Sequence, residues 1–180
     1  MKRLLDTEGY NLKEASFDTF IGKKTAAFLK EQFPEMNQET REKIAKERRI
    51  VQQEAQLIPA IEEFLSSLPK LHFGIVTGTS SAVVKKTLKK YALTDYFQTI
   101  IGGEDFISSK PDPECYLLAL KRSGLKASET IIIEDSPAGV RAGKAAGCQV
   151  WGLLTSVEKL PEADKSFIDY QKMLIMLKEF

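Results

Sequence analysis

From Pro59 onward the sequence alternates short apolar runs with amphipathic segments of about ten residues, and this alternation restricts the fold more than any other feature. The runs that predict strands are residues 73–76, 99–101, 130–133 and 149–153, with a short fifth at 166–168. Strands that alternate with helices imply right-handed crossovers and a parallel sheet. We therefore expect an α/β fold with a Rossmann-like core, in which helices flank a parallel sheet.

The N-terminal third has a different pattern and predicts helices without a strong strand. A short helix is expected over residues 25–33, where Pro34 stops it, and Asn37 is a suitable N-cap for a long, highly charged helix that ends near residue 54. We therefore divide the chain into an N-terminal helical segment, residues 1–56, and an α/β core, residues 57–180.

Composition excludes several classes of function. The 26 basic and 25 acidic residues of the 180-residue chain leave a net charge of +1, which gives no electrostatic reason to expect nucleic-acid or membrane binding. No apolar run approaches the roughly 20 residues of a membrane span, and the N-terminus lacks a signal-peptide core. Cys115 and Cys148 form neither a disulfide framework nor a zinc pattern. A cytoplasmic location is expected.

The segment after the first predicted strand is suited to phosphate binding. In parallel α/β sheets, ligands bind beyond the carboxyl ends of the strands. Residues 73–76 are followed by Thr77, Gly78 and the start of a helix, which supply a hydroxyl donor, a close backbone approach and free N–H groups. Taken alone, however, a Ser or Thr in front of a helix is more often an ordinary N-cap.

Two adjacent carboxylates, Glu134 and Asp135, follow the third strand. Buried carboxylates are normally paired or bound to a metal, and ligation by oxygen alone indicates Mg²⁺. An ordinary helix cap would explain one acidic residue but not two.

Lys110 lies between these sites on a loop that Pro111 stiffens, because the residue before a proline is restricted to extended geometry. A fixed ammonium would suit a phosphoryl group or a carboxylate. For this residue alone, a solvated surface lysine is the simpler interpretation.

Together the three strand ends resemble the haloacid dehalogenase superfamily, and within it the beta-phosphoglucomutase-like phosphatases. The segments that carry the resemblance are IVTGTSS, SSKPDPECY and IIIEDSPAGVRAGKAAG, the last being the most specific. The resemblance implies a Mg²⁺-dependent phosphatase or phosphomutase acting on a small phosphorylated metabolite. It gives Thr77 and Lys110 catalytic and phosphate-holding roles and makes Glu134 and Asp135 the metal ligands, whereas Gly78 belongs to the phosphate seat by its position after the first strand. The N-terminal helices would be a shortened form of the family's substrate-covering cap.

The chain departs from the family at its N-terminus, because it has no hydrophobic strand followed by Asp-x-Asp-Gly. In one interpretation, LLDTE at residues 4–8 matches the stretch after that motif, and the nucleophile strand is absent. In the other, residues 2–5 form the strand, Asp6 is the nucleophile and Glu8-Gly9 replaces Asp-Gly. The resemblance favours the first, whereas the need to fill the centre of the sheet favours the second.

Three interpretations of the chain are consistent with this departure. The chain is an impaired hydrolase, a non-catalytic relative that binds a phosphorylated ligand or a protein, or a truncated product without activity.

Overall fold

The computed structural model describes residues 1–12, 24–54 and 56–178, and within them the fold has parallel sheets flanked by helices, as expected. Residues 13–23 of the expected N-terminal helical segment lie outside the described residues. The strands are β1 (Phe73–Val76), β2 (Phe97–Ile101), β3 (Ile131–Glu134), β4 (Gln149–Leu153) and β5 (Lys165–Phe167). The helices are α1 (Lys2–Thr7), α2 (Thr25–Gln32), α3 (Gln38–Gln53), α4 (Ile61–Ser66), α5 (Ser81–Lys90), α6 (Glu114–Ser123), α7 (Pro137–Ala145) and α8 (Tyr170–Lys178). Short 3₁₀ turns at Thr94–Tyr96 and Ala127–Glu129 precede β2 and β3.

The strands of the described chain form two sheets. One contains β1 and β2, and the other has the order β3-β4-β5; every pairing is parallel. Among the described residues, no pairing joins β1 to β3. The sheet is therefore divided at its centre.

Two apolar clusters hold the divided sheet together from its two faces. On one face, Ile101 packs with Ile132 and Val150 under residues of α6 and α7, and half-buried Val76 joins them. On the other face, residues of α4 and α8 pack with strand residues from both sheets. These strand residues are Phe73, Ile75, Phe97, Ile100, Ile133, Trp151, Leu153 and Phe167. Side chains thus connect the two sheets where backbone hydrogen bonds do not.

The N-terminal helices have an apolar cluster of their own, and it corrects one prediction. Residues 2–5 do not form a strand, because Lys2–Thr7 is helical. Leu5 is fully buried against residues of α2 and α3, including Phe28, Leu29 and Ile44. As a helix, α1 can bury its leucines while Arg3 and Asp6 remain exposed, whereas a central strand would have forced charged side chains into a packed layer.

Local signals explain most of the helix boundaries. The Asn37 side chain accepts a hydrogen bond from the Thr40 N–H (2.8 Å), as expected for the N-cap of α3. The helix predicted from Pro59 begins instead at Ile61, because Ala60 has a left-handed conformation with φ 66°. Helix α8 was not predicted. In the described part of the chain, none of the helices has the length and hydropathy needed to cross a bilayer.

Candidate active site at the carboxyl ends of the strands

The loops after β1 and β2 are locked together at the predicted phosphate seat. The Thr77 N–H donates to the Ile101 carbonyl (3.0 Å), and the Thr77 hydroxyl accepts from the Thr79 N–H (3.1 Å). A Cβ at Gly103 would lie 2.3 Å from the carbonyl oxygen of Gly78, so only glycine permits this approach. Thr77 and Gly78 are both half-buried, so a ligand can reach them.

The start of α5 already has an acidic partner. The Ser81 N–H donates to Glu104 Oε1 (2.9 Å), and the Ser81 hydroxyl donates to the same carboxylate. The hydrogen bond from the Ser81 hydroxyl is the main reason why the pKa of Glu104 is lowered. An N–H group expected to be open to phosphate is therefore occupied, and the seat is reduced to Thr77, Gly78 and the short loop that follows them.

Lys110 and Glu134 form a buried ion pair, with exposed fractions of only 5% and 8%. Lys110 Nζ contacts Glu134 Oε1 and donates to the Tyr116 hydroxyl (2.9 Å). The Tyr116 hydroxyl donates to the same Glu134 oxygen. Burial, reinforced by the charge of Glu134, raises the pKa of Tyr116 far above its ordinary value. The interpretation of Lys110 as a solvated surface residue is wrong.

The start of α7 fixes the other side of Glu134. The Ser136 hydroxyl donates to Glu134 Oε2 (3.0 Å) and accepts from the Gly139 N–H (3.0 Å), so one side chain caps the helix and orients the carboxylate. A Cβ at Gly139 would lie 2.0 Å from Glu134 Cδ. The sequence Ser-Pro-x-Gly therefore does more than begin a helix: it leaves the space that Glu134 occupies.

The loop that carries Lys110 is held by backbone contacts. The Glu114 carboxylate accepts from the N–H groups of Ile107 (2.9 Å) and Ser108 (2.6 Å), and these two hydrogen bonds lower its pKa. Lys24, at the entrance to α2, contacts the Phe106 carbonyl and lies over the Phe106 ring at 4.0 Å. The helical segment is thereby connected to the loop of the candidate site.

Asp135 differs from Glu134 in being half-buried, with its Oδ2 accepting from the Ser156 hydroxyl (2.6 Å). Both Glu134 oxygens already accept hydrogen bonds from protein donors, so Asp135 is the better placed of the two to face a cation. Mg²⁺ fits this donor set, because it often takes only one or two carboxylates and completes its shell with water and phosphate oxygens. Within the described residues, no group of three or more potential metal ligands occurs.

Asp6 is not brought to these residues by any described contact. It is exposed on α1, whose buried face packs against α2 and α3. No hydrogen bond or ion pair in the described part of the chain joins Asp6 to Lys110, Glu134 or Asp135. The nucleophile interpretation depended on a strand over residues 2–5, and that strand is absent.

Sequence reasoning missed several residues of the site, namely Tyr116, Ser156, Glu104, Gly139 and Lys24. Tyr116 lies six residues after Lys110, inside the apolar pattern of α6, where an aromatic residue is ordinarily assigned to the core. Only its hydroxyl, buried beside an ionised pair, marks it as part of a polar network. Glu104 and Ser156 act across loops, which periodicity does not detect.

Comparison with known proteins matches residues 1–153 to the haloacid dehalogenase-like hydrolases. The chain belongs to this family. The match supports the resemblance to haloacid dehalogenase phosphatases seen in the three strand-end segments, which all lie within residues 1–153.

Curated relatives of this family member are phosphatases. A phosphoglycolate phosphatase of Yersinia pestis is 36% identical over 105 residues, 57% of this chain and 45% of the relative. A phosphorylated carbohydrates phosphatase of Thermotoga maritima is 31% identical over 122 residues, 65% of this chain and 56% of the relative. The matched segments thus span about half the length of these relatives.

Two solved structures match nearly the whole chain. A hydrolase from Pseudomonas syringae has a TM-score of 0.84 at 25% identity. The matched region covers 99% of this chain and 88% of the hydrolase. The beta-phosphoglucomutase of Clostridium difficile has a TM-score of 0.82 at 19% identity. The matched region covers 99% of this chain and 86% of the mutase. At that identity the second likeness concerns the fold alone.

Proposed function

We propose that this haloacid dehalogenase-like protein binds a small phosphorylated metabolite together with Mg²⁺, through a phosphatase or phosphomutase site whose turnover is impaired. The buried network of Lys110, Tyr116, Glu134 and Ser136 carries the proposal, because it fixes a cation and a carboxylate at the carboxyl ends of the strands, where ligands bind in parallel α/β sheets. A buried ion pair is weak evidence for stability, because apolar residues of similar volume often serve the fold equally well, so this pair favours a functional role.

Each residue of the proposed site has a separate role. The Thr77 hydroxyl and the backbone at Gly78 would hold phosphoryl oxygens. Lys110, kept in place by Glu134, would help to hold the phosphoryl group. Asp135, assisted by Glu134, would hold Mg²⁺, which when bound would neutralise charge on the phosphate.

The acidic residues account for the proposed impairment. The covalent route of phosphoryl transfer needs a positioned carboxylate nucleophile. In the described residues, Asp6 lies exposed on a helix and no third acid joins Glu134 and Asp135. A non-catalytic receptor for a phosphorylated ligand is therefore the second candidate function, favoured by the same observation.

Substrate class, location and domain division belong to the same proposal. The names of the relatives favour a phosphorylated carbohydrate or small phosphorylated acid. Cys115 and Cys148 are buried free thiols, which suits the reducing cytoplasm. Residues 1–56 would form a reduced cap over the core of residues 57–180, in keeping with their separate apolar cluster.

Thermal unfolding with millimolar Mg²⁺, with and without inorganic phosphate, tests the binding. Saturating Mg²⁺ should stabilise the protein by about 2.7 kcal/mol at a hundredfold excess over its dissociation constant. Asp135→Asn should abolish the rise in unfolding temperature that Mg²⁺ causes. Asp95→Asn, at an exposed acid on the turn before β2, is the matched control and should preserve it. The absence of any shift in the parent protein would overturn the metal assignment.

Hydrolysis of p-nitrophenyl phosphate and phosphoglycolate separates the two candidates. Turnover should be far below the ordinary range of about 1–10³ s⁻¹. Slow, Mg²⁺-dependent hydrolysis that Asp135→Asn removes would identify an impaired enzyme. Stabilisation by ligand with no measurable turnover would identify a receptor. An ordinary turnover rate would contradict the proposed impairment.

A further inference from the structure

The carboxylate of Glu104 is bound to the start of α5, the helix that follows the phosphate seat. Its Oε1 accepts from the Ser81 N–H (2.9 Å) and from the Ser81 hydroxyl, and its Oε2 accepts from the same N–H at 3.2 Å. A Cβ at Gly102 would lie 2.6 Å from Glu104 Oε2 and 2.4 Å from the Ser81 nitrogen, so glycine leaves the space for this contact. The N-terminus of a helix favours negative charge, and Glu104 supplies that charge from within the protein.

The backbone next to Glu104 lies against the seat itself. The Gly103 N–H donates to the Thr79 carbonyl (2.9 Å), and a Cβ at Gly103 would lie 2.3 Å from the Gly78 carbonyl oxygen. Because neighbouring Cα atoms are about 3.8 Å apart, the Cα atom of Glu104 lies within about 8 Å of that oxygen. The negative charge of Glu104 is therefore close to any ligand whose phosphoryl group is held at Thr77 and Gly78.

The charge of Glu104 is not compensated by a neighbouring cation. Its pKa is lowered by hydrogen bonds from the Ser81 hydroxyl, from its own N–H and from the Ser81 N–H, all of which are neutral donors. The adjacent carboxylate of Asp105, in contrast, forms an ion pair with Arg122 (2.7 Å). Among the described residues, Glu104 takes part in no ion pair. A ligand at the seat consequently meets an ionised carboxylate at neutral pH.

We propose that Glu104 determines specificity by disfavouring ligands that carry a second anionic group next to the phosphoryl group. The site then prefers a phosphate monoester whose remainder is uncharged, such as a sugar or polyol phosphate. This inference rests on the proposed function and narrows it. The names of the relatives leave both a phosphorylated carbohydrate and phosphoglycolate as ligand classes. In phosphoglycolate a single methylene group separates the ester oxygen from the carboxylate, so its second charge also lies near Glu104.

Coulomb's law gives the size of the expected effect. For two like charges about 8 Å apart, the repulsion lowers affinity about twofold at the dielectric constant of water and about thirtyfold at the value typical near a protein surface. Glu104 is exposed, so the lower part of this range applies, about three- to fivefold. The charge of the phosphoryl group is common to both ligands and cancels when their affinities are compared.

Isothermal titration calorimetry of the full chain with Mg²⁺ tests the inference. Glycerol phosphate, whose remainder is neutral, is compared with phosphoglycolate, and the measured quantity is the ratio of their dissociation constants. In the parent protein at low salt, glycerol phosphate should bind about three- to fivefold more tightly. A parent protein that binds phosphoglycolate as tightly or more tightly would overturn the inference.

Variants of Glu104 separate its charge from its shape. Glu104→Gln keeps an oxygen that can accept from Ser81 but removes the charge, so the ratio should fall close to one. Glu104→Asp keeps the charge and should retain most of the preference. Asp95→Asn, which removes an exposed acid on the turn before β2, is the control and should leave the ratio unchanged. An unchanged ratio in Glu104→Gln, or equal loss of preference in Glu104→Gln and Glu104→Asp, would contradict selection by charge.

The salt dependence of the unmodified protein gives a result that needs no variant. The Debye length is about 30 Å at 0.01 M salt and about 3 Å at 1 M, so salt screens a charge about 8 Å away almost completely at the higher concentration. The preference for glycerol phosphate should therefore disappear as salt is raised. A preference that stays constant over this range would overturn the inference.

Failure of this inference can be told apart from failure of the proposed function. If inorganic phosphate and both esters fail to bind the parent protein in the presence of Mg²⁺, the proposed function is wrong and the inference fails with it. If the esters bind but their ratio responds neither to Glu104→Gln nor to salt, only the role of Glu104 is wrong.

Discussion

Replacing Lys110 with methionine is the sharpest test of the buried network, because methionine keeps the apolar stem and removes the charge. Glu134 would then be buried without its cation, although Tyr116 and Ser136 would still donate to it. Breaking a buried pair from one side costs about 3–5 kcal/mol, and the two remaining donors favour the lower end, about 3 kcal/mol. For a chain of this size that corresponds to a fall in Tm of about 6–12 °C.

Urea unfolding at pH 7 measures this cost directly, with Lys126→Met as the control. Lys126 and Glu129 form an ion pair at 3.7 Å with exposed fractions of 78% and 57%, and such pairs contribute at most about 1 kcal/mol. Glu134→Gln and the double variant complete a cycle, in which we expect a coupling energy of at least about 1 kcal/mol. If Lys110→Met and Lys126→Met cost the same within about 0.5 kcal/mol, the reasoning is refuted.

Three further predictions concern single contacts. Tyr116→Phe should destabilise the fold by about 1–3 kcal/mol in urea unfolding, because Lys110 and Glu134 lose a buried partner; an unchanged midpoint would contradict it. Gly139→Ala should destabilise by about 1–3 kcal/mol or more, since its Cβ would overlap Glu134, and a neutral effect would show that the carboxylate can move. Asp164 has a lowered pKa because of the hydrogen bonds from Lys144 and the Val150 N–H, so its contribution is present above the unfolded pKa of about 3.9 and is lost as pH falls through the folded value. Asp164→Asn should therefore flatten the fall of Tm below about pH 4, and an unchanged profile would exclude this linkage.

The parts of the fold that the sequence predicted are those with strong local signals. β1 and β4 occupy the predicted residues, because a buried parallel strand is a continuous apolar run with few alternative structures. Ser136 and Pro137 begin α7 as expected, since a capping hydroxyl followed by proline is specific to a helix start. Local chemistry decided these elements.

Elements that depend on distant contacts could not be predicted in the same way. Six residues at Lys2–Thr7 carry two leucines among charged side chains, a pattern that suits a short strand as well as a helix. Contact of Leu5 with the cluster of α2 and α3 decides between them. The site shows the same limit. The sequence identified Lys110, Glu134 and Asp135 as candidates, but the hydrogen bonds of Tyr116 to both Lys110 and Glu134 depend on how α6 packs.

The pairing of Lys110 with Glu134 also affects how a phosphorylated ligand would approach. The electric fields of two opposite charges in contact nearly cancel at a distance from the pair. Lys110, which is buried against Glu134, therefore attracts a distant anion only weakly. The remaining donors at Thr77 and Gly78 are neutral. Without bound Mg²⁺, an anionic ligand would therefore find this site by ordinary diffusion, and its association rate should change little with ionic strength, unlike that of a ligand steered by an exposed cationic cleft.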